Sequence, residues 1–203
     1  AAVYPNTDWP DFSKRFIVSL GLTPNLATTQ INTYEDIIAF LQIMQRINGI
    51  VLDLDQDMWR YISDNYFIQE VQAEEVGSST MPQKVNPIRF ENAEGNVGLA
   101  NALIEYMTRK LPVSRLQRDL SDSTTIRNLG TTLGYSLLAY KNTLDGLRRV
   151  KPNLETITED LNHDWSILAE AVQTILRKEG IDDPYSLVKS LTRGARIDRD
   201  EWQ

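Results

Sequence analysis

Apolar residues recur at spacings of three and four from Ile37 through Leu41, Met44, Ile47, Val51, Leu54 and Met58 to Tyr61. That period predicts an amphipathic helix of roughly 30 residues, about 45 Å long. Thr33 is the expected N-cap, with Glu35 and Asp36 in the first turn, where acids meet the positive end of the helix dipole. A helix of that length is at home in a bundle or a subunit interface. Gly49 within it lowers local propensity and permits close packing. A second long helix is predicted from Pro87 to Lys110, with Ile88, Val97, Leu99, Ala100, Leu103, Ile104 and Met107 as its apolar positions. Gly95 and Gly98 thin its surface, which again suggests close neighbours, and Leu111-Pro112 stops it. A third runs from Ser123 to Val150 along Leu129, Leu133, Leu137, Tyr140, Leu144 and Leu147.

Shorter helices complete the pattern. One follows Pro10, carries Phe12, Phe16, Ile17 and Leu20 on one face, and ends at Gly21. Beyond Lys151-Pro152, the clearest boundary in the chain, the segments Leu154–Leu161, Trp165–Glu179 and Pro184 to near Gly194 read as helices. Asp164 is the N-cap of the second of these and Gly180 its stop. No strand, internal repeat or low-complexity tract stands out. The expected fold is all-α: a long-helix bundle over residues 1–151 and a small C-terminal helical domain over 152–203.

Composition adds exclusions. The 203 residues are 41% hydrophobic and 24% charged, the balance of a globular chain. No uninterrupted apolar run approaches about 18 residues, so no membrane span is expected, and the first residues lack the basic and apolar regions of a signal peptide. With no Cys and one His, disulfides, thiolate metal sites, a Cys nucleophile and a typical zinc site are excluded, and a reducing cytoplasm is expected. The net charge of −7 argues against a nucleic-acid partner. Residues 78–127 nevertheless hold seven Lys/Arg (Lys84, Arg89, Arg109, Lys110, Arg115, Arg118, Arg127) against five acids, a local excess that suits a small anionic ligand or arises by chance clustering.

Two stretches carry candidate chemistry. Gly77-Ser78-Ser79-Thr80-Met81-Pro82-Gln83-Lys84-Val85-Asn86-Pro87 is polar and twice interrupted by Pro, so it is a loop feeding a helix start. Its hydroxyls, its single cation and the helix N-terminus favour an anion. The same residues also suit an ordinary surface loop with a helix cap. In Arg115-Leu116-Gln117-Arg118-Asp119-Leu120-Ser121-Asp122-Ser123-Thr124-Thr125-Ile126-Arg127-Asn128, two Arg precede a hydroxyl-rich helix start, and Ser123 and Arg127 stand four apart on one face. Hydroxyls with a guanidinium fork suit a phosphate, while a capping box with solvated Arg residues remains the plain alternative.

The first stretch resembles the signature loop of the fumarase/aspartase superfamily, and the second resembles the RDxSDSxxxR segment of the adenylosuccinate lyases. Likeness to that family extends over nearly the whole chain, including the Ala2–Phe16 lead-in and Thr28-Thr29-Gln30-Ile31. The resemblance implies elimination of fumarate from adenylosuccinate, giving AMP, and from the succinylated carboxamide ribonucleotide of purine synthesis. It implies Ser78 as the general base, and Lys84, Asn86 and the Val85 backbone as holders of carboxylate charge. Gln30 and Asn92 would contact substrate, and Arg118, Ser123, Thr124, Thr125, Ile126 and Arg127 would bind the nucleotide's anionic end. It implies no cofactor, a homotetramer with shared sites, and a cytoplasmic enzyme.

The family's general acid is a histidine in an earlier segment, and its members begin with a further helical region. Neither is found here, so the chain reads as the C-terminal part of a longer enzyme, inactive alone. His163, between two predicted helices, reads as a cap or surface residue. A sister lyase acting on argininosuccinate, aspartate or malate, or a non-catalytic helical scaffold that binds nucleotides, are the rival readings.

Overall fold

The computed structural model describes residues 2–70, 80, 81, 84–195 and 197–202. These form a predominantly helical chain: α1 (Trp9–Ser19), α2 (Glu35–Ser63), α3 (Ile88–Lys110), α4 (Ser121–Ile126), α5 (Leu129–Leu147), α6 (Leu154–His163), α7 (Ala169–Lys178), α8 (Pro184–Thr192) and α9 (Arg199–Trp202). The all-α expectation therefore stands, with one correction. Phe67–Gln69 (β1) and Val150–Pro152 (β2) pair as a small antiparallel ribbon, Phe67 opposite Pro152 and Gln69 opposite Val150. Three residues are too few to show an alternating pattern, and Pro152 is tolerated because the strand is an edge. The helix expected to reach Val150 accordingly ends at Leu147.

The residues group into two compact units, 1–53 with 92–142 and 54–91 with 143–203. In the first unit, Ile38 and Leu41 of α2 meet Ile104 and Met107 of α3 and Leu111 beyond its end, with Tyr34, Ile126 and Leu129 against them. Leu41, Ile104 and Met107 are fully buried, each contributing roughly 1.5–3 kcal/mol by leaving water. A second cluster joins Ala93 and Val97 of α3 to Ala139 of α5, with Val51, Leu52 and Tyr140 alongside. Between the two apolar clusters along these helices lies a polar layer. Asn48 donates to Asn101 (2.9 Å) and Ser136 (3.1 Å) and accepts from the Tyr140 hydroxyl (2.5 Å).

That layer corrects the predicted seam of α2. The buried face is Ile38, Leu41, Asn48, Asp55 and Met58, whereas Ile47, Leu54 and Tyr61 are exposed. Asn48 and Asp55 bury because their bonds are met; Asp55 accepts from the Thr143 hydroxyl at 2.8 Å. The start of α2 differs as well. Its cap position is Tyr34, at φ 58°, with the Asn32 side chain accepting the Tyr34 amide (2.8 Å) and the Tyr34 carbonyl accepting the Ile38 amide (2.8 Å). Asn32 therefore makes the turn that Thr33 was expected to supply. By length and composition α2 is apolar enough to cross a membrane, with a window of mean hydropathy 1.4. Counting unbroken runs missed this, because Gln42, Gln45 and Asn48 interrupt them.

In the second unit Phe90 fills the space beside Gly146 of α5. A Cβ at Gly146 would lie 2.7 Å from the Phe90 ring. Beside Gly49, Gly95 and Gly98, by contrast, there is open space, so none of the three is needed for packing among the described residues. Gly146→Ala is expected to destabilise the protein by about 1–3 kcal/mol, because the buried ring cannot yield and overpacking outweighs the gain in helix propensity. Urea unfolding checks this; a Gly146→Ala protein at least as stable as the parent would show that the ring moves freely.

Asp164 is the cap that was expected, and Asp183, which the sequence reading did not single out, caps α8. Asp164 accepts the Ser166 amide (3.0 Å) and Asp183 the Ser186 amide (3.2 Å). Gly180 and Gly194 take positive φ where a chain reversal requires it. Trp165–Leu168 is a 3-10 turn ahead of α7, so the predicted single helix has two parts. The Trp165 amide reaches the Ile197 carbonyl (2.7 Å). His163 is the exposed last residue of α6.

Candidate active site

Ser78 lies outside the described residues, as do Gly77, Ser79, Pro82 and Gln83. From Lys84 to Pro87 the chain has no regular secondary structure, and α3 follows. The Pro87 carbonyl accepts the Phe90 amide (3.0 Å) and the Glu91 amide (3.2 Å), so Pro87 caps α3 rather than beginning it. The Lys84 amide donates to the Met81 carbonyl (3.1 Å) while its side chain is exposed. Val85 is exposed and Asn86 half-buried. These residues belong to the second unit.

Gln30, Asn92 and the Arg118–Arg127 segment belong to the first. Gln30 is exposed in the loop before α2, and Asn92 is exposed in the second turn of α3, its carbonyl accepting from the Asn96 amide group (2.7 Å). Leu116 and Gln117 take positive φ, a tight reversal that brings the Arg115 amide to the Asp119 carboxylate at 2.7 Å. Asp119 also accepts the Ser121 hydroxyl and the Ser121 amide (2.9 Å). These bonds, the Ser121 hydroxyl first, hold the Asp119 carboxyl far below the usual range, so it stays charged.

The continuous helix expected from Ser123 is instead α4, six residues long, and then α5. The Asn128 side chain intercepts the backbone at the break: its amide group donates to the Thr124 carbonyl (3.1 Å), while the Asn128 backbone amide goes to the Thr125 carbonyl (3.1 Å). So short a helix has little dipole to offer an anion, and the segment's anion-binding capacity rests on its side chains. Thr125 is buried, its hydroxyl donating to the Ser121 carbonyl (3.3 Å), and Ile126 packs against the first core cluster. Ser123 is half-buried and Thr124 exposed, and neither hydroxyl has a partner among the described residues.

The same distinction divides the seven cations of the basic stretch. Arg89 lies 3.5 Å from Asp145, Arg115 3.3 Å from Asp119, Arg109 donates to the Glu105 carbonyl (3.1 Å) and Lys110 to the Val113 carbonyl (2.9 Å). The side chains of Lys84, Arg118 and Arg127 have no partner among the described residues and are exposed. An unpaired guanidinium or ammonium is the group an incoming carboxylate or phosphate can use without first breaking an internal bond.

Sequence reasoning missed one feature of the site. The Tyr34 hydroxyl donates to Asp122 at 2.5 Å, joining the loop after Gln30 to α4. Asp122 is buried, and its second carboxylate oxygen has no partner among the described residues. Bonding to the carboxylate, then burial, raises the Tyr34 pKa above its ordinary value. The available signal was an acid between Ser121 and Ser123, more easily read as part of a cap.

Comparison with known proteins identifies the family. The family model described as Lyase matches residues 4–100, and the one described as Adenylosuccinate lyase C-terminal matches residues 114–203. Curated adenylosuccinate lyases align almost throughout. That of Escherichia coli strain K12 is 50% identical over 197 residues, that of Haemophilus influenzae 50% over 196 and that of Legionella pneumophila strain Corby 52% over 197. Each alignment covers 97% of this chain and 43% of the relative, so the chain spans less than half the length of the relatives it matches. With both models in chain order and half of the aligned residues identical, the chain belongs to the adenylosuccinate lyase family.

Proposed function

We propose that this chain supplies part of the active site of a lyase that eliminates fumarate from adenylosuccinate, giving AMP, and from the succinylated carboxamide ribonucleotide of purine synthesis. The observation that carries the reading is the division of the cations. Among seven, the three without a partner among the described residues, Lys84, Arg118 and Arg127, are the three for which the motifs require an anion. Lys84, with Asn86 and the Val85 backbone, holds the substrate carboxylate as carbanion charge spreads onto it. Arg118 and Arg127, with Ser123 and Thr124, hold the nucleotide phosphate; Thr125 and Ile126 support them from the core side. Gln30 and Asn92 contact substrate. Ser78 removes the proton beta to the departing nitrogen. A serine base needs a nearby cation and a dry site to exist as an alkoxide, and Lys84 supplies the cation.

The reading extends to a cytoplasmic homotetramer built on the long helices of residues 1–151, with 152–203 as a small appended domain. The uncovered apolar residues Phe40, Ile43, Ile47 and Ile50 of α2 support an intersubunit role for that helix. No cofactor is required, and His163 is given no role. The test is to follow adenylosuccinate cleavage by absorbance with the native protein that carries this sequence, beside argininosuccinate, aspartate and malate. Turnover of adenylosuccinate above the other three is expected; turnover confined to one of those three would sink the assignment.

A further inference from the structure

We propose that Tyr34 is a positioning residue that keeps Asp122 folded inward, so that Arg118 and Arg127 remain open to a phosphate. The inference rests on the function proposed above. Asp122 stands four residues after Arg118 and five before Arg127, and it is the one acid inside the hydroxyl-rich run. An internal carboxylate has a far higher effective concentration at those guanidiniums than any dissolved ligand. Unrestrained, it would occupy them as Asp119 occupies Arg115, at 3.3 Å, within the same segment. The structure shows what restrains it. Asp122 is only 6% exposed, and its sole partner among the described residues is the Tyr34 hydroxyl at 2.5 Å.

Tyr34 is itself held in place from two sides. Its amide is tied to Asn32 and its carbonyl to Ile38, which fixes the positive-φ turn at the start of α2. Its ring packs on the cluster of Ile38, Leu41, Ile104, Met107 and Leu111. Deleting only the hydroxyl would leave both Asp122 oxygens buried without a partner, a state that drives a carboxylate toward water or a cation. Arg118 and Arg127, which flank α4 in the chain, are both exposed. The Tyr34 bond thus prevents self-inhibition by the segment's own acid, and it ties the Gln30 loop to the same element.

The experiment measures AMP and inorganic phosphate affinity by calorimetry in the native protein, for the parent, Tyr34→Phe, Asp122→Asn and the double variant. Fumarate inhibition and the melting temperature are measured beside them. Tyr34→Phe is expected to weaken AMP and phosphate about tenfold, the effect of one charge-assisted bond, with fumarate inhibition unchanged. Asp122→Asn alone should bind AMP like the parent, because an amide oxygen still accepts from Tyr34 and bears no charge. The double variant should recover to within about threefold of the parent, since an amide cannot compete for the guanidiniums. Equal affinity of Tyr34→Phe and parent would overturn the inference, as would a Tyr34→Phe loss that Asp122→Asn does not repair, which marks a merely structural role. Should Tyr34→Phe not fold, an approximately tenfold loss in Asp122→Asn alone would likewise overturn it. A parent that binds neither AMP nor phosphate would instead refute the proposed function on which it rests.

Discussion

Lys84→Met is expected to lower kcat for adenylosuccinate cleavage by roughly 10²–10³, the effect of removing one preorganised charge donor from a developing oxyanion. The melting temperature should stay where it is. The Lys84 side chain is exposed and pairs with no acid among the described residues, so its loss removes no ion pair there. Surface changes of that kind stay within about 0.5 kcal/mol. The pairing of a large kinetic effect with no stability effect is the diagnostic result. Arg89→Met is the control, because Arg89 is a cation five residues further along that the fold already uses against Asp145. It should lose stability before it loses rate. A Lys84→Met enzyme with near-parental kcat but raised KM would place Lys84 in ground-state binding only and remove its transition-state role.

How much of this was readable in advance depended on where each signal was local. The bounds of α3 and the start of α8 came from Pro87, Leu111-Pro112 and Pro184, because Pro acts within a few residues of itself. The break between α4 and α5 was not readable, since it depends on which carbonyl the Asn128 side chain chooses. The two motifs were legible as motifs, but not the division of their cations. Sequence alone cannot separate Arg115 from Arg118. What separates them is the positive-φ turn at Leu116 and Gln117, which delivers Arg115 to Asp119. Tyr34 and Asp122 lie 88 positions apart, beyond any local pattern.

The same limitation hid the polar layer at Asn48, and its removal should have the largest effect on the fold. Asn48 is fully buried and serves three partners: Asn101 and Ser136 take its amide hydrogens, and the Tyr140 hydroxyl donates to its carbonyl oxygen. Asn48→Ala would leave Tyr140 without an acceptor, strip a donor from Asn101 and Ser136, and open a cavity between two apolar clusters. The summed loss is about 3–5 kcal/mol, a large part of a typical domain's stability. Shape and polarity can be separated by a second protein carrying Asn48→Leu, Ser136→Ala and Tyr140→Phe. There the polar groups of Ser136 and Tyr140 go with that of Asn48, Asn101 is only half-buried, and the volume is filled, so most of the loss should return. Chemical unfolding with unchanged m-value in all three proteins would confirm that one native state is being compared. Parental stability in Asn48→Ala would show that water replaces the side chain at little cost. A triple variant no better than Asn48→Ala would mean that the layer sets the register of α2 against α3 and α5, a task that apolar residues of similar size cannot perform.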